Sequence, residues 1–66
     1  MTLRINGKPR EEEGPLSAAD LLARLGVDTA RTVVELNGRV LERMNLPSEM
    51  LKEGDVLEII RFVGGG

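Results

Sequence analysis

Thr2-Leu3-Arg4-Ile5-Asn6-Gly7 opens the chain with the two signals on which the fold turns. Polar and apolar residues alternate over residues 2–6, the period of a strand with one buried face. Leu3 and Ile5 then point inward. Asn6-Gly7 is a strong short hairpin signal, because a type I′ turn needs positive φ at both central residues. Residues 8–12 return as a second strand, which Pro9 and the flanking charges place at a sheet edge. The run Glu11-Glu12-Glu13 is expected to be a solvated charged face. Adjacent carboxylates on an extended chain point to alternate sides and do not converge on one ion.

The same turn signal recurs at Asn37-Gly38. Before it, residues 32–36 are rich in β-branched side chains and read as a strand, with Val34 and Leu36 inward and Glu35 outward. After it, residues 39–41 return as a short strand. Between the hairpins, Gly14-Pro15 breaks the chain and Ser17 precedes a helix over residues 18–25. Ala18, Leu21, Leu22 and Leu25 form its apolar stripe, Asp20 suits its positive end, and Gly26 sits where a left-handed residue closes a helix. Residues 42–53 show no clean period. Leu46-Pro47-Ser48 is read there as a loop feeding one helical turn around residues 49–51. Glu53-Gly54-Asp55 turns the chain into a last strand over residues 56–62. Glu58 faces out on it, which turns Leu57 and Ile59 inward and places Ile60 and Phe62 on the outer face.

The first and last strands are distant in sequence and both apolar, so a parallel pairing between them is expected. The fold class is α+β. The expected architecture is a mixed four- to five-stranded sheet with one main helix across one face, which is the β-grasp, or ubiquitin-like, arrangement. Residues 1–63 form the domain and residues 64–66 a flexible glycine tail.

Composition narrows the function. Sixty-six residues allow one domain with a thin core and no deep enclosed site. Cysteine, histidine, tryptophan and tyrosine are absent, and Phe62 is the only aromatic residue. Disulfides, thiolate metal sites, a histidine base and a thiol nucleophile are therefore excluded. Ser17 is accounted for as a helix cap, and Ser48 has no recognisable base beside it. A formal net charge of -2 with interleaved signs argues against nucleic acid. No apolar run reaches membrane-spanning length and no secretion pattern opens the chain, so a soluble cytoplasmic protein is expected.

The chain stops on Arg61-Phe62-Val63-Gly64-Gly65-Gly66. Three glycines offer thinness and a terminal carboxylate, and no Lys-Ser/Thr or helix follows to make a phosphate loop. Extended, they reach roughly 10 Å and fit a channel too narrow for other residues. The alternative is a frayed end or a remnant of cloning.

Three pieces together resemble the ThiS/MoaD group of bacterial sulfur carriers. They are Val34-Glu35-Leu36-Asn37-Gly38, Leu51-Lys52-Glu53-Gly54-Asp55-Val56-Leu57-Glu58-Ile59 and Val63-Gly64-Gly65-Gly66. The likeness spans essentially the whole chain, with residues 43–50 matching least. The short length and the Val-Gly-Gly-Gly ending look more like the thiamine branch than the molybdopterin branch, whose frequent proline before Gly-Gly is missing.

The resemblance implies a carrier that is not itself an enzyme. An E1-like adenylyltransferase joins the Gly66 carboxylate to AMP, and a sulfur donor protein displaces the AMP to leave a thiocarboxylate. The sulfur then passes to thiazole synthase. Gly64 and Gly65 are the tail that enters the activating site. The chain binds no cofactor, since ATP and magnesium belong to the activating partner. Two other readings stay open: the small subunit of molybdopterin synthase, and a ubiquitin-like binding module with an inert terminus. Ile60, Phe62 and Val63 are the expected partner interface. For Phe62 the competing expectation is a ring folded back over the core edge.

Overall fold

Two Asn-Gly pairs set the strand layout. Asn6 and Gly7 have φ of 50° and 82°, and Asn37 and Gly38 have φ of 52° and 83°. Both pairs therefore supply the positive dihedrals that match a two-residue turn to the twist of its strands. The first joins β1 (Thr2–Ile5) to β2 (Lys8–Glu11), with Ile5 opposite Lys8. The second joins β3 (Thr32–Leu36) to β4 (Arg39–Leu41), with Leu36 opposite Arg39. The computed structural model describes residues 1–62, and the expected boundary at residue 63 and the 64–66 tail lie outside them.

The last strand, β5 (Val56–Arg61), lies between the two hairpins and gives the order β2-β1-β5-β3-β4. It runs parallel to β1, with Arg4 opposite Val56 and Ile5 opposite Leu57, and antiparallel to β3. A five-stranded mixed sheet with one helix on one face is a β-grasp, as the pattern of residues predicts. β2 is an edge strand and exposed throughout.

The helix, α1 (Ala18–Arg24), is fixed at both ends by local chemistry. The Ser17 hydroxyl accepts from the Asp20 amide at 3.0 Å, and the Asp20 carboxylate accepts from the Ser17 amide at 3.3 Å, which makes a capping box. At the other end Gly26 is left-handed with φ 69°. Its amide donates to the Ala23 carbonyl and that of Val27 to the Leu22 carbonyl, the bonding pattern of a Schellman cap. Ala18, Leu21 and Leu22 are buried, and Leu25 packs at the core edge.

The helix covers the sheet face that carries Leu3, Val34, Leu36 and Leu57. Leu57, at the centre of the sheet, is fully buried, which contributes about 2–3 kcal/mol relative to exposure. Leu16, Leu41, Leu46 and Leu51 close the ends of this layer.

The segment over residues 42–53 departs from expectation. The helical piece is a 3-10 helix at Arg43–Ser48, with Pro47 inside it, and residues 49–51 are extended. The reason is tertiary. The Ala18 amide donates to the Glu49 carbonyl, and the Leu51 amide donates to the Leu16 carbonyl, so Met50 forms a bridge to Ser17. A helical turn at residues 49–51 would forfeit both bonds. Buried Leu46 anchors the 3-10 helix instead. A second short 3-10 turn, Thr29–Arg31, leads into β3.

The acidic run also needs correction. Glu11 and Glu13 are exposed, but the Glu12 side chain is only 9% exposed and lies between Arg10 and Arg24. Arg24 donates to it at 2.8 Å from the helix. The hydrogen bond from Arg24, followed by that from Arg10, holds the Glu12 carboxyl below its ordinary value of 4.5.

Candidate functional site

Among the described residues, strand alternation leaves the sheet face opposite the helix uncovered. Registers place Val33 opposite Ile60, and Glu35 opposite both Glu58 and Val40. Ile60 is 44% exposed, Val40 59% and Phe62 58%. Phe62 therefore does not fold over the core. Its backbone stays tied to the domain, because its amide donates to the Arg31 carbonyl at 2.9 Å. Ile60 and Phe62 thus stand on the strand that leads to the C-terminus, on its open side. Val63, Gly64, Gly65 and Gly66, the other candidate site residues, lie outside the described residues.

Glu35 and Glu58 put like charges directly opposite each other within this apolar face. Among the described residues neither has an ion-pair partner. Arg4 occupies the same face, but its guanidinium donates to the Gly7 carbonyl at 2.8 Å. Such a facing pair is mildly destabilising in the free domain.

Two polar groups that support β5 are not evident from the sequence pattern. Asn6 accepts from the Ile59 amide at 2.7 Å through its side-chain oxygen and donates to the Ile59 carbonyl at 3.3 Å through its side-chain nitrogen. Asn37 accepts from the Val56 amide at 2.9 Å and donates to the Asp55 carboxylate at 3.0 Å. Each turn asparagine is thus also a side-chain clamp on β5. The Asn-Gly signal explains these residues as turn formers and says nothing of a strand 53 positions from Asn6 and 19 from Asn37.

The described residues hold no group of three or more Asp, Glu, His or Cys side chains able to bind a metal ion. A shallow groove of about 440 Å³ runs between the end of α1 and β5, lined by Ile5, Leu25, Val27 and Ile59 with Asn6 and Arg61 at its rim. It offers no side chain suited to proton transfer or nucleophilic attack.

A model of the ThiS family matches residues 3–66. The chain belongs to the ThiS family. The crystal structure of the thiamine biosynthesis protein ThiS from Geobacter metallireducens superimposes on this family member with a TM-score of 0.85. That protein is 42% identical, and the likeness covers 100% of both chains. The sulfur carrier protein ThiS of Thermus thermophilus is 32% identical over 62 residues, covering 94% of this chain and 95% of that one. A thiazole synthase of Paramagnetospirillum magneticum is 36% identical over 66 residues, which are 100% of this chain and 20% of that enzyme. The chain spans about one fifth of the length of the thiazole synthases it matches. Among the described residues no helix is long and apolar enough to cross a membrane.

Proposed function

We propose that this ThiS-family chain is a cytoplasmic sulfur carrier of thiamine biosynthesis and that Gly66 is the carrying residue. A carboxylate resists nucleophiles because it is negatively charged and its oxygens leave poorly. An E1-like activating enzyme, using ATP and magnesium that it binds itself, joins the Gly66 carboxylate to AMP and releases pyrophosphate. Sulfide-level sulfur from a donor then attacks the acyl carbon and displaces AMP, and the terminus becomes a thiocarboxylate. Thiazole synthase takes the sulfur from it. The chain acts as co-substrate and supplies no catalytic group.

The observation that carries this reading is that the family likeness runs through to residue 66 and so includes the three terminal glycines. Glycine allows the close backbone approach that an adenylating site requires. The thiazole synthases containing a segment like this chain support the pairing of carrier with acceptor. In this reading the open face around Ile60 and Phe62, continued by Val63, docks the partner enzymes.

The test is a mass spectrum of the intact chain after incubation with the activating enzyme, ATP, magnesium and a sulfur source. One oxygen is exchanged for one sulfur at the C-terminus. A chain lacking Gly66, or extended beyond it, stays unmodified while its circular dichroism is unchanged. Sulfur loading of either variant refutes the proposal.

A further inference from the structure

We propose that Asn6 is a positioning residue that sets the direction in which β5 delivers the C-terminus. The inference rests on the carrier reading and adds to it a residue more than fifty positions from the reacting end.

The geometry of β5 is asymmetric. On one side β3 accompanies it to Arg61, which faces Thr32, and the Phe62 amide reaches the Arg31 carbonyl. On the other side β1 ends at Ile5 and turns away at Asn6-Gly7. The last main-chain bond there runs from the Asn6 amide to the Leu57 carbonyl at 2.9 Å. One step further, the Asn6 side chain takes over. Its amide bonds both the N–H and the C=O of Ile59, as a neighbouring strand would. A side-chain amide here stands in for one missing peptide unit of the sheet.

Ile59 is the last point at which the β1 side of β5 is held. From it to Gly66 the chain can span at most about 25 Å. A small change in strand direction at Ile59 shifts Phe62, from which the chain continues to Gly66. An activating site that accepts the tail in one direction sees only the fraction of molecules whose strand points that way. Its apparent affinity falls in proportion to that fraction, while turnover of the correctly seated tail is unaltered. Loss of the Asn6 clamp is thus read in KM and spares kcat.

The second turn provides the control. Asn37 makes the same number of side-chain hydrogen bonds to the other end of the strand, at Asp55 and Val56. Asn6→Gly and Asn37→Gly both keep positive φ without strain, and each removes one clamp. A purely structural role makes the two variants alike. A positioning role separates them.

The experiment measures steady-state adenylation of the full chain by the E1-like activating enzyme, alongside amide hydrogen exchange of the free chain. Asn6→Gly is expected to raise KM for the carrier about tenfold with kcat within about twofold. It is also expected to speed exchange at Ile59 and Phe62. Asn37→Gly is expected to keep the wild-type KM. Asn6→Asp, which retains the acceptor for the Ile59 amide and loses the donor to its carbonyl, falls between wild type and Asn6→Gly. Equal KM for the two glycine variants, or unchanged exchange at Ile59 and Phe62 in Asn6→Gly, overturns the inference and leaves the carrier reading intact. Failure of the wild type to acquire sulfur overturns both.

Discussion

Replacing Ser17 by alanine tests the physical account of the helix, because one hydroxyl supports the start of the only α-helix among the described residues. The hydroxyl accepts the Asp20 amide at 3.0 Å, and Ser17 is 4% exposed. Loss of a helix cap costs about 1 kcal/mol. At this burial the orphaned amide regains little water, which adds about 1 kcal/mol more. The expected loss is therefore about 2 kcal/mol, or roughly a third of the stability of a domain this size. The midpoint of thermal unfolding should fall by about 8–16 °C. Asp20→Ala removes only the reciprocal bond at an exposed position and costs about 0.5 kcal/mol. The double variant should lose less than the sum, because the two bonds form one box. With no tryptophan or tyrosine in the chain, far-UV circular dichroism is the appropriate probe of urea and thermal unfolding. A Ser17→Ala midpoint within the error of wild type, or strict additivity with Asp20→Ala, means that the helix start does not depend on the box.

Four further outcomes follow from particular contacts. Leu57→Ala empties the fully buried centre of the sheet and should cost about 3 kcal/mol in urea unfolding; a loss under 1 kcal/mol means the layer collapses to fill the space. Glu58→Gln relieves the charge facing Glu35 and should raise stability by a few tenths of a kcal/mol, more at low salt than at high salt, as read from the urea midpoint. Glu12 has a folded pKa below its ordinary 4.5, so its contribution is present above that value and is lost as pH falls through the folded value. A series of urea midpoints should therefore drop in acid below 4.5 for the wild type, and Glu12→Gln should drop less over that window. Phe62→Glu alters a ring that is 58% exposed, so stability should move by no more than about 0.5 kcal/mol while binding to the activating enzyme, followed by titration, weakens. Equal binding removes Phe62 as an anchor.

What the sequence disclosed were the features decided within a few residues. Both Asn-Gly turns, the Ser17 cap, the Gly26 closure and the inward set of Leu3, Val34, Leu36 and Leu57 depend on local dihedrals and alternation, and all are found as expected. The parallel neighbouring of β1 and β5 also followed, because two distant apolar strands with polar edges elsewhere had few other partners. The misses share one cause, a partner remote in sequence. Residues 49–51 are extended because Leu16 and Ala18 claim their backbone groups. Glu12 is held by Arg24, which the helix carries into range. The clamps of Asn6 and Asn37 close on a strand that no turn rule mentions. The candidate site divides in the same way. The open placement of Ile60 was legible from alternation; for Phe62 alternation left a ring folded over the core edge equally open, and the support beneath both residues was not legible.

The strand order has a bearing on biosynthesis. The middle of the sheet joins the beginning of the chain to its end, across a separation of about fifty residues. A ribosome that has released the first hairpin, the helix and the second hairpin has made a polypeptide whose two halves still lack the strand that unites them. Leu57, and with it the closing of the apolar layer, arrives last. Products broken off before Val56 lack the strand that joins the two hairpins, and their apolar layer is left open to proteases.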